Sequence, residues 1–365
     1  MKAVIPCAKK EENLFPFIES APTGLLPVAG KPVVKHLIEA LKDAGIDDIY
    51  LVANYRQKMF ESEFGEYTDV NIVRQEELNG TGGAVETCDF IEEDFLVVNG
   101  DVVISGQDIE ALVKKHEQKN PGTTILATRE EKPEKFGVLS IENDRVVDLV
   151  EKPEEPENTL VNTGIYVFTP AIFEELEKME GEKDLTDAVK MFLGDEARFE
   201  LVEDYWIDIG SPRKLWEADR IKRERMVDQT SIAESAEIHE DAEICDEAVI
   251  REDAELKPGT VLEGACIIGE NAEIGPDTTV TDSSVNAGTV VRSAAVEDSL
   301  IFRDVSIEPS VFVQKSVLAE ETSVKAGTVI SESFIGPRSF IEMNNSIKGV
   351  KFVPDARTDL SEISK

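Results

Sequence analysis

The sequence predicts two folds in series. The first is an α/β unit on a Rossmann-like, mainly parallel sheet with helices on both faces; the second is an all-β left-handed parallel β-helix. Three observations carry this reading. Residues 1–228 alternate strand-like apolar runs with helical stripes. From Ile232 onward an aliphatic residue returns at every sixth position. The chain has 365 residues, 41% of them hydrophobic, enough for about two real cores. The expected divisions are 1–228, 229–347, and a cap or tail at 348–365.

In the first division, Ala3–Ile5 is a short apolar strand. Val33–Lys42 carries apolar residues at 33, 34, 37, 38 and 41, one stripe of a helix. Ile49–Ala53 and Val70–Val73 read as strands, and Phe95–Val98 is an apolar run ending in Asn99-Gly100-Asp101. Helices follow near 107–117, 170–179 and 211–227. Such alternation implies a sheet covered on both faces, with ligands beyond the carboxyl ends of its strands. Asp101 stands at such an end.

In the second division Ile232, Ile238, Ile244, Ile250, Leu256, Leu262, Ile268, Ile274 and Val280 fall six apart without a break. Small residues (Ala236, Ala242, Ala248, Ala254, Ala272) recur four places later. The series then loosens through Val285, Val290, Val296, Ile301, Ile307, Leu318, Val324, Ile330, Ile335, Ile341 and Ile347. A hexapeptide period gives one inward side chain per face of a triangular coil, and stacked coils bury a continuous core. The looser steps are expected at corners or loops.

The formal net charge is −37, shared as −22 over residues 1–228 and −15 over the rest. This is a solvated acidic surface on folded domains, suited to a salty cytoplasm where screening relieves self-repulsion. It excludes nucleic acid as a main partner, which needs a basic footprint, and it disfavours anionic membranes. No apolar run reaches the roughly 18–20 residues of a membrane span. The start Met1-Lys2-Ala3-Val4-Ile5-Pro6 runs straight into a strand, without a signal peptide, so a cytoplasmic location is expected. Cys7, Cys88, Cys245 and Cys266 are scattered and read as free thiols.

Chemistry gathers in the first division. Glycines at 80, 82 and 83 let backbone approach a ligand closely. Gln75 offers a donor and an acceptor to a base edge. Asp101 and Asp208 are suited to sharing one Mg²⁺, with waters and phosphate oxygens completing its shell. Lys152 can pair with a phosphate, and Glu151 with hydroxyls. Singly, each has a plain alternative as a turn, a strand-end acid or a solvated loop.

In order along the chain the motifs resemble those of the sugar-phosphate nucleotidylyltransferases, which join an NTP and a sugar 1-phosphate into an NDP-sugar and pyrophosphate. Leu25-Leu26-Pro27-Val28-Ala29-Gly30-Lys31-Pro32 begins the match. Gln75 before Gly80-Thr81-Gly82-Gly83-Ala84 is similar to the base-binding loop. Val97-Val98-Asn99-Gly100-Asp101 and Tyr205-Trp206-Ile207-Asp208-Ile209-Gly210 are similar to the segments delivering two metal-binding Asp. Phe136-Gly137-Val138, Glu151-Lys152-Pro153 and Asn162-Thr163-Gly164 are similar to the sugar and phosphate contacts. The resemblance thus implies catalytic roles for Lys31, Asp101 and Asp208. It implies nucleotide binding by Gln75, Gly80, Thr81, Asn99 and Gly100, and sugar or phosphate binding by Gly137, Glu151, Lys152, Asn162 and Thr163. A hexapeptide β-helix after this domain is also a family arrangement.

One signature departs. The family's first strand leads into a G-x-G-T-R loop, then a Pro-Lys pair. Here the glycines fall on Lys9 and Glu11, the Thr and Arg on Glu12 and Asn13, and the Pro-Lys on Pro22-Thr23. Bare backbone N–H groups can no longer converge on a triphosphate, and the carboxylates repel it. Lost charged donors cost on the order of a hundredfold in rate. The first reading is a protein that binds a nucleotide sugar with weak or no turnover, regulating or scaffolding an active paralogue in a homo- or hetero-oligomer. The second is an active nucleotidylyltransferase in which Lys9, Lys10 or Lys31 supplies the missing charge. A third, acyl transfer on the β-helix, would rest on His239, which sits beside Glu240 and Asp241 and reads better as a solvated corner.

Overall fold

The computed structural model describes residues 1–227, 230–358 and 363–364; the expected boundary at 228/229 lies outside them. Contacts group the chain into two units. One comprises Met1–Lys10 and Val33–Asp208, the other Glu11–Pro32 and Ile209–Lys365.

The α/β unit follows the expected strands and helices. In chain order it has β1 (Lys2–Pro6), α1 (Val33–Asp43), β2 (Asp48–Ala53), α2 (Gln57–Phe64), β3 (Val70–Arg74), α3 (Thr81–Glu86), β4 (Phe95–Val98), β5 (Val102–Ile104) and α4 (Gly106–Lys119). Then come β6 (Thr123–Arg129), β7 (Gly137–Glu142), β8 (Arg145–Glu151), β9 (Leu160–Phe168), α5 (Ala171–Lys178), α6 (Leu185–Lys190), β10 (Ala197–Leu201) and β11 (Trp206–Asp208). The nine-stranded sheet has the order β3-β2-β1-β4-β9-β6-β10-β8-β7. Its first four strands are parallel and are the ones the sequence announces. The other half is mixed: β9 runs antiparallel to β4 and β6, while β10 runs parallel to β6.

Side chains alternate across this sheet. Val4, Val52, Val97 and Ile125 pack with Val85 of α3, Ile172 and Leu176 of α5, and Val189 of α6. Ala3, Ile5, Leu51 and Leu96 lie one residue off and are buried toward the other face, where α1 packs on α4. The start of α4 is fixed by Ser105, whose Oγ accepts from the Asp108 amide at 3.2 Å and donates to the Asp108 carboxylate at 2.6 Å.

In the other unit the hexapeptide reading holds. Three sheets of nine, seven and seven short strands stack into a left-handed parallel β-helix, and the continuous aliphatic core runs from Ala248 to Ala356. The loosened period has a simple cause. The register steps from Ile250 to Ile268, then to Val285, Ile301, Leu318 and Ile335, so coils of 18 residues give way to coils of 17 or 16. Residues are lost at corners, and strand pairing survives. Two positions shift accordingly: Val291, not Val290, points inward, and Val313 fills an inward place that the looser series passes over. Left-handed backbone marks the corners, with φ near +44° at Asp282 and +43° at Asp298 in successive coils. A serine ladder lines the same corner: the amides of Ser299, Ser316 and Ser333 donate to the hydroxyls of Ser283, Ser299 and Ser316 at 3.0–3.1 Å.

Helix α7 (Pro212–Met226) and residues 11–32 belong to this unit. Phe17, fully buried, lies against Phe302 and Phe334, with ring centroids 5.5 and 6.3 Å away. Leu14, Ile18 and Leu26 are buried as well. Trp216 of α7 donates its indole N–H to the carbonyl of Asp298 at 2.7 Å.

Candidate functional site

Four expected residues stand where parallel strands end. Gln75 follows β3, and Asn99, Gly100 and Asp101 follow β4. Neighbouring strand ends are laced together here. The Cys7 amide donates to Val52 O (2.7 Å), the Gly100 amide to Pro6 O (3.1 Å), and the Gln75 amide to Ala53 O (3.0 Å). Gly100 is required by this approach, because a Cβ would overlap the Cys7 sulfur and come within 2.9 Å of Pro6 O. Burial pushes the Cys7 thiol up, and the charge of Asp101 adds to it.

The Gln75–Thr81 loop is held from within and from outside. Gln75 is 3% exposed, and its amide nitrogen donates to Asn79 Oδ1 (3.0 Å) and Gly80 O (3.2 Å). Its donors therefore shape the loop, which leaves the carbonyl as the group available to a base edge. Gly80 has φ +98°, and a Cβ there would overlap the carbonyl oxygen of Lys183. Residues 183–185 brace the outside. The Lys183 amide donates to Asn79 O (2.6 Å), the Gly82 amide to Lys183 O (2.8 Å), and the Leu185 amide to Thr81 Oγ1 (3.1 Å). The Lys183 ammonium bonds both oxygens of Glu86, at 2.5 and 2.7 Å. Sequence reasoning missed Asn79, Glu86 and Lys183. No signal marks Lys183, about a hundred residues downstream in an acidic run.

Strand pairing brings the segment ending in Asp208 alongside the one that follows Asp101. Strand β11 is antiparallel to β5, with Asp208 opposite Val102, the residue after Asp101. Two hard carboxylates in adjacent positions suit a Mg²⁺ that takes its other ligands from water and phosphate. Among the described residues no group of three or more His, Cys, Asp or Glu could form an all-protein cage.

The sugar-side residues form a second group. Gly137 lies opposite Glu151 in the β7–β8 pair, and a Cβ on it would come within 2.9 Å of Glu151 Oε2 and 3.6 Å of Asn162 Cβ. Lys152 is exposed, with φ +45°, its amide bonded to Phe136 O (3.0 Å) and its ammonium 3.2 Å from Glu151. Asn162 bonds Tyr166 OH (2.5 Å) and the Gly164 amide (3.1 Å), setting the irregular step in β9. Thr163 serves that step too: its buried hydroxyl donates to Leu126 O at 2.7 Å, so it faces the sheet rather than an open surface. The Asn99 amide reaches Gly164 O at 3.4 Å, joining the loop after β4 to β9.

The departed signature is divided between the units. Lys9 is exposed after β1, and Lys10 lies over the Tyr55 ring at 5.5 Å. In the other unit Glu11 precedes a 3₁₀ turn of Glu12–Leu14, with Glu12 and Asn13 exposed. Thr23 is buried and opens the 3₁₀ turn Thr23–Leu25. Lys31 sits in a hairpin, paired with Val28. His239 accepts the Asp241 amide on Nδ1 at 3.1 Å, the corner arrangement expected of it. No helix among the described residues is long and apolar enough to cross a membrane.

Residues 9–225 match the family of nucleotidyl transferases, and residues 275–359 match the GlmU-like C-terminal hexapeptide family. A bifunctional protein GlmU of Methanocaldococcus jannaschii is 37% identical over 228 residues, covering 60% of this chain and 54% of that protein. The low-salt glycan biosynthesis nucleotidyltransferase Agl11 of Haloferax volcanii is 31% identical over 238 residues, 61% of this chain and 66% of that one. The chain thus matches a little over half the length of its GlmU relatives. A Bacillus anthracis protein assigned as a glucose-1-phosphate thymidylyltransferase, crystallised with sucrose, superposes with TM-score 0.57 and 25% identity, over 60% of this chain and 94% of that one. The family match spans more than half of the sequence and ends where the hexapeptide coils begin, so the chain belongs to the nucleotidyl transferase family and carries a hexapeptide β-helix behind its catalytic-type domain.

Proposed function

We propose that the α/β unit holds a nucleotide sugar, with weak or no pyrophosphorylase turnover of its own. One observation carries this. A braced loop after β3, the Asp101 and Asp208 segments, and the group of Gly137, Glu151 and Asn162 on β7, β8 and β9 belong to one unit, and the Asn99 amide after β4 bonds Gly164 O of β9. In this reading Gln75, Gly80 and Thr81 take the base, and Glu151 and Asn162 the sugar hydroxyls. Lys152 meets the distal phosphate. Asp101 and Asp208 would hold Mg²⁺, which neutralises phosphate charge when bound. Weak turnover follows from Lys9, Glu11, Glu12, Asn13 and Thr23, which leave a triphosphate without a bare backbone cradle or an Arg fork. Such a chain would act beside an active paralogue.

The aspartate pair favours a second reading, an active nucleotidylyltransferase, because a protein that only binds has less use for metal ligands. Calorimetry with NDP-sugars and NTPs, with and without Mg²⁺ in molar KCl, is paired with pyrophosphate release from each NTP and several sugar 1-phosphates. The first reading expects NDP-sugar binding, NTP binding about tenfold or more weaker, and no turnover. Turnover abolished by Asp101→Asn establishes the second. Absence of any nucleotide-sugar binding sinks both.

A further inference from the structure

Lys31 is carried by a two-residue hairpin whose turn has an unusual demand. Ala29 and Gly30 both adopt left-handed backbone, φ +46° and +73°, between Val28 and Lys31. That is the geometry of a tight I′ turn, and an alanine does not favour it. Something must hold it. The Ala29 amide donates to Asp219 Oδ1 at 2.8 Å in a buried setting. The other oxygen of Asp219 is bonded by Arg223, one helical turn along α7. Arg223 passes its second arm to the carbonyl of Asp282 at 2.5 Å, at a β-helix corner. Asp219 and Arg223 are 0% and 1% exposed. The turn also rests on the coils: a Cβ on Gly30 would reach Ile267 at 3.0 Å and Arg251 at 3.4 Å. Trp216, on the same helix, bonds the matching corner of the next coil at Asp298.

A buried ion pair is weak grounds for stability, since apolar residues of similar volume often serve as well. What an apolar pair lacks is a directed acceptor for the Ala29 amide. We propose that Asp219 and Arg223 are positioning residues that fix the Ala29–Gly30 turn, and so Lys31, to the Asp282 corner of the β-helix. The coupling is a property of this unit alone.

The test is amide hydrogen exchange at residues 29–31 of the full chain, referenced to the buried strand Cys266–Ile268, with nucleotide titrations alongside. The double variant Asp219→Leu, Arg223→Met keeps the volume and removes the acceptor. It should retain the melting temperature within a few degrees while exchange at Ala29 rises about tenfold or more. Asp219→Asn with Arg223→Met keeps an acceptor oxygen, buries no unpaired charge and should stay within about threefold of wild type. Unchanged exchange at Ala29 in the double variant overturns the proposal. If that variant does not fold, Asp219→Ala decides: a rise confined to 29–31 supports the coupling, and a uniform rise overturns it. If wild type binds no nucleotide, the functional reading fails while the exchange result still judges the coupling.

Discussion

Phe17→Ala removes the aromatic centre of the residue 11–32 segment. Phe17 is fully buried and its ring meets those of Phe302 and Phe334. Truncating a buried Phe to Ala costs about 3–5 kcal/mol, part of it transfer and part the cavity left behind. The ring contacts contribute about 0.5–1.5 kcal/mol per pair beyond area burial, which places this site toward the upper end. For a cooperative unit of this size each kcal/mol lowers the midpoint by about 2–4 °C, so a fall of roughly 8–20 °C is expected. The assay is calorimetry at fixed KCl, with brief proteolysis by a leucine-directed protease to follow cleavage after Leu14 and Leu25. Residues 11–32 should become cleavable before the coils do. A fall under about 2 °C, with no new cleavage, would refute the view that this segment is a working part of the β-helix unit.

Three further outcomes follow from the geometry. Asp208→Asn should weaken Mg²⁺-dependent nucleotide-sugar binding about tenfold or more while leaving the metal-free affinity alone, measured by titration with and without Mg²⁺. Gly80→Ala places a Cβ against Lys183 O at φ +98°; a loss of about 1–3 kcal/mol in the α/β unit is expected, with weaker nucleotide binding in calorimetry. His116 is buried between Thr124 and Asp94, and burial lowers its pKa despite the pull of Asp94. The unfolded chain then binds the proton more readily. The stability held above the unfolded value near 6.5 should be lost as pH falls through the lower folded value. Melting between pH 7.5 and 5 should show this, and His116→Gln should flatten the slope.

What was legible in the sequence depended on periodicity. Val33–Lys42 repeats on one helical face, and the parallel strands Ala3–Ile5, Ile49–Ala53 and Phe95–Val98 are short apolar runs, so each declares itself. Strands such as β8 do not: Arg145, Asp148 and Glu151 occupy its solvent side and break the pattern. The six-residue period found the β-helix, and it slipped to Val290 only because a corner had shortened the coil. Motif residues were legible by their chemistry, and strand pairing sets Asp208 opposite Val102, the residue after Asp101. Their braces were not. Lys183 meets Asn79 and Gly82, and Asp219 meets Ala29, across roughly a hundred residues or more, and a single sequence holds no trace of such pairs. Phe17 likewise stands alone in the sequence, with its partners Phe302 and Phe334 far downstream.

Neither unit is a continuous stretch of chain, because Glu11–Pro32 folds with the coils while the residues on both sides of it fold with the sheet. This bears on inheritance. A gene rearrangement that joined the sheet to some other partner, cutting anywhere after β11, would carry along a segment whose buried face, Leu14, Phe17, Ile18 and Leu26, had lost its counterpart. A rearrangement that transplanted the coils alone would leave that face behind. Separating the two units therefore exposes that apolar face, which weighs against their exchange as cassettes. Changes in the residue 11–32 segment are selected against the coils it lies on, whatever else the segment does.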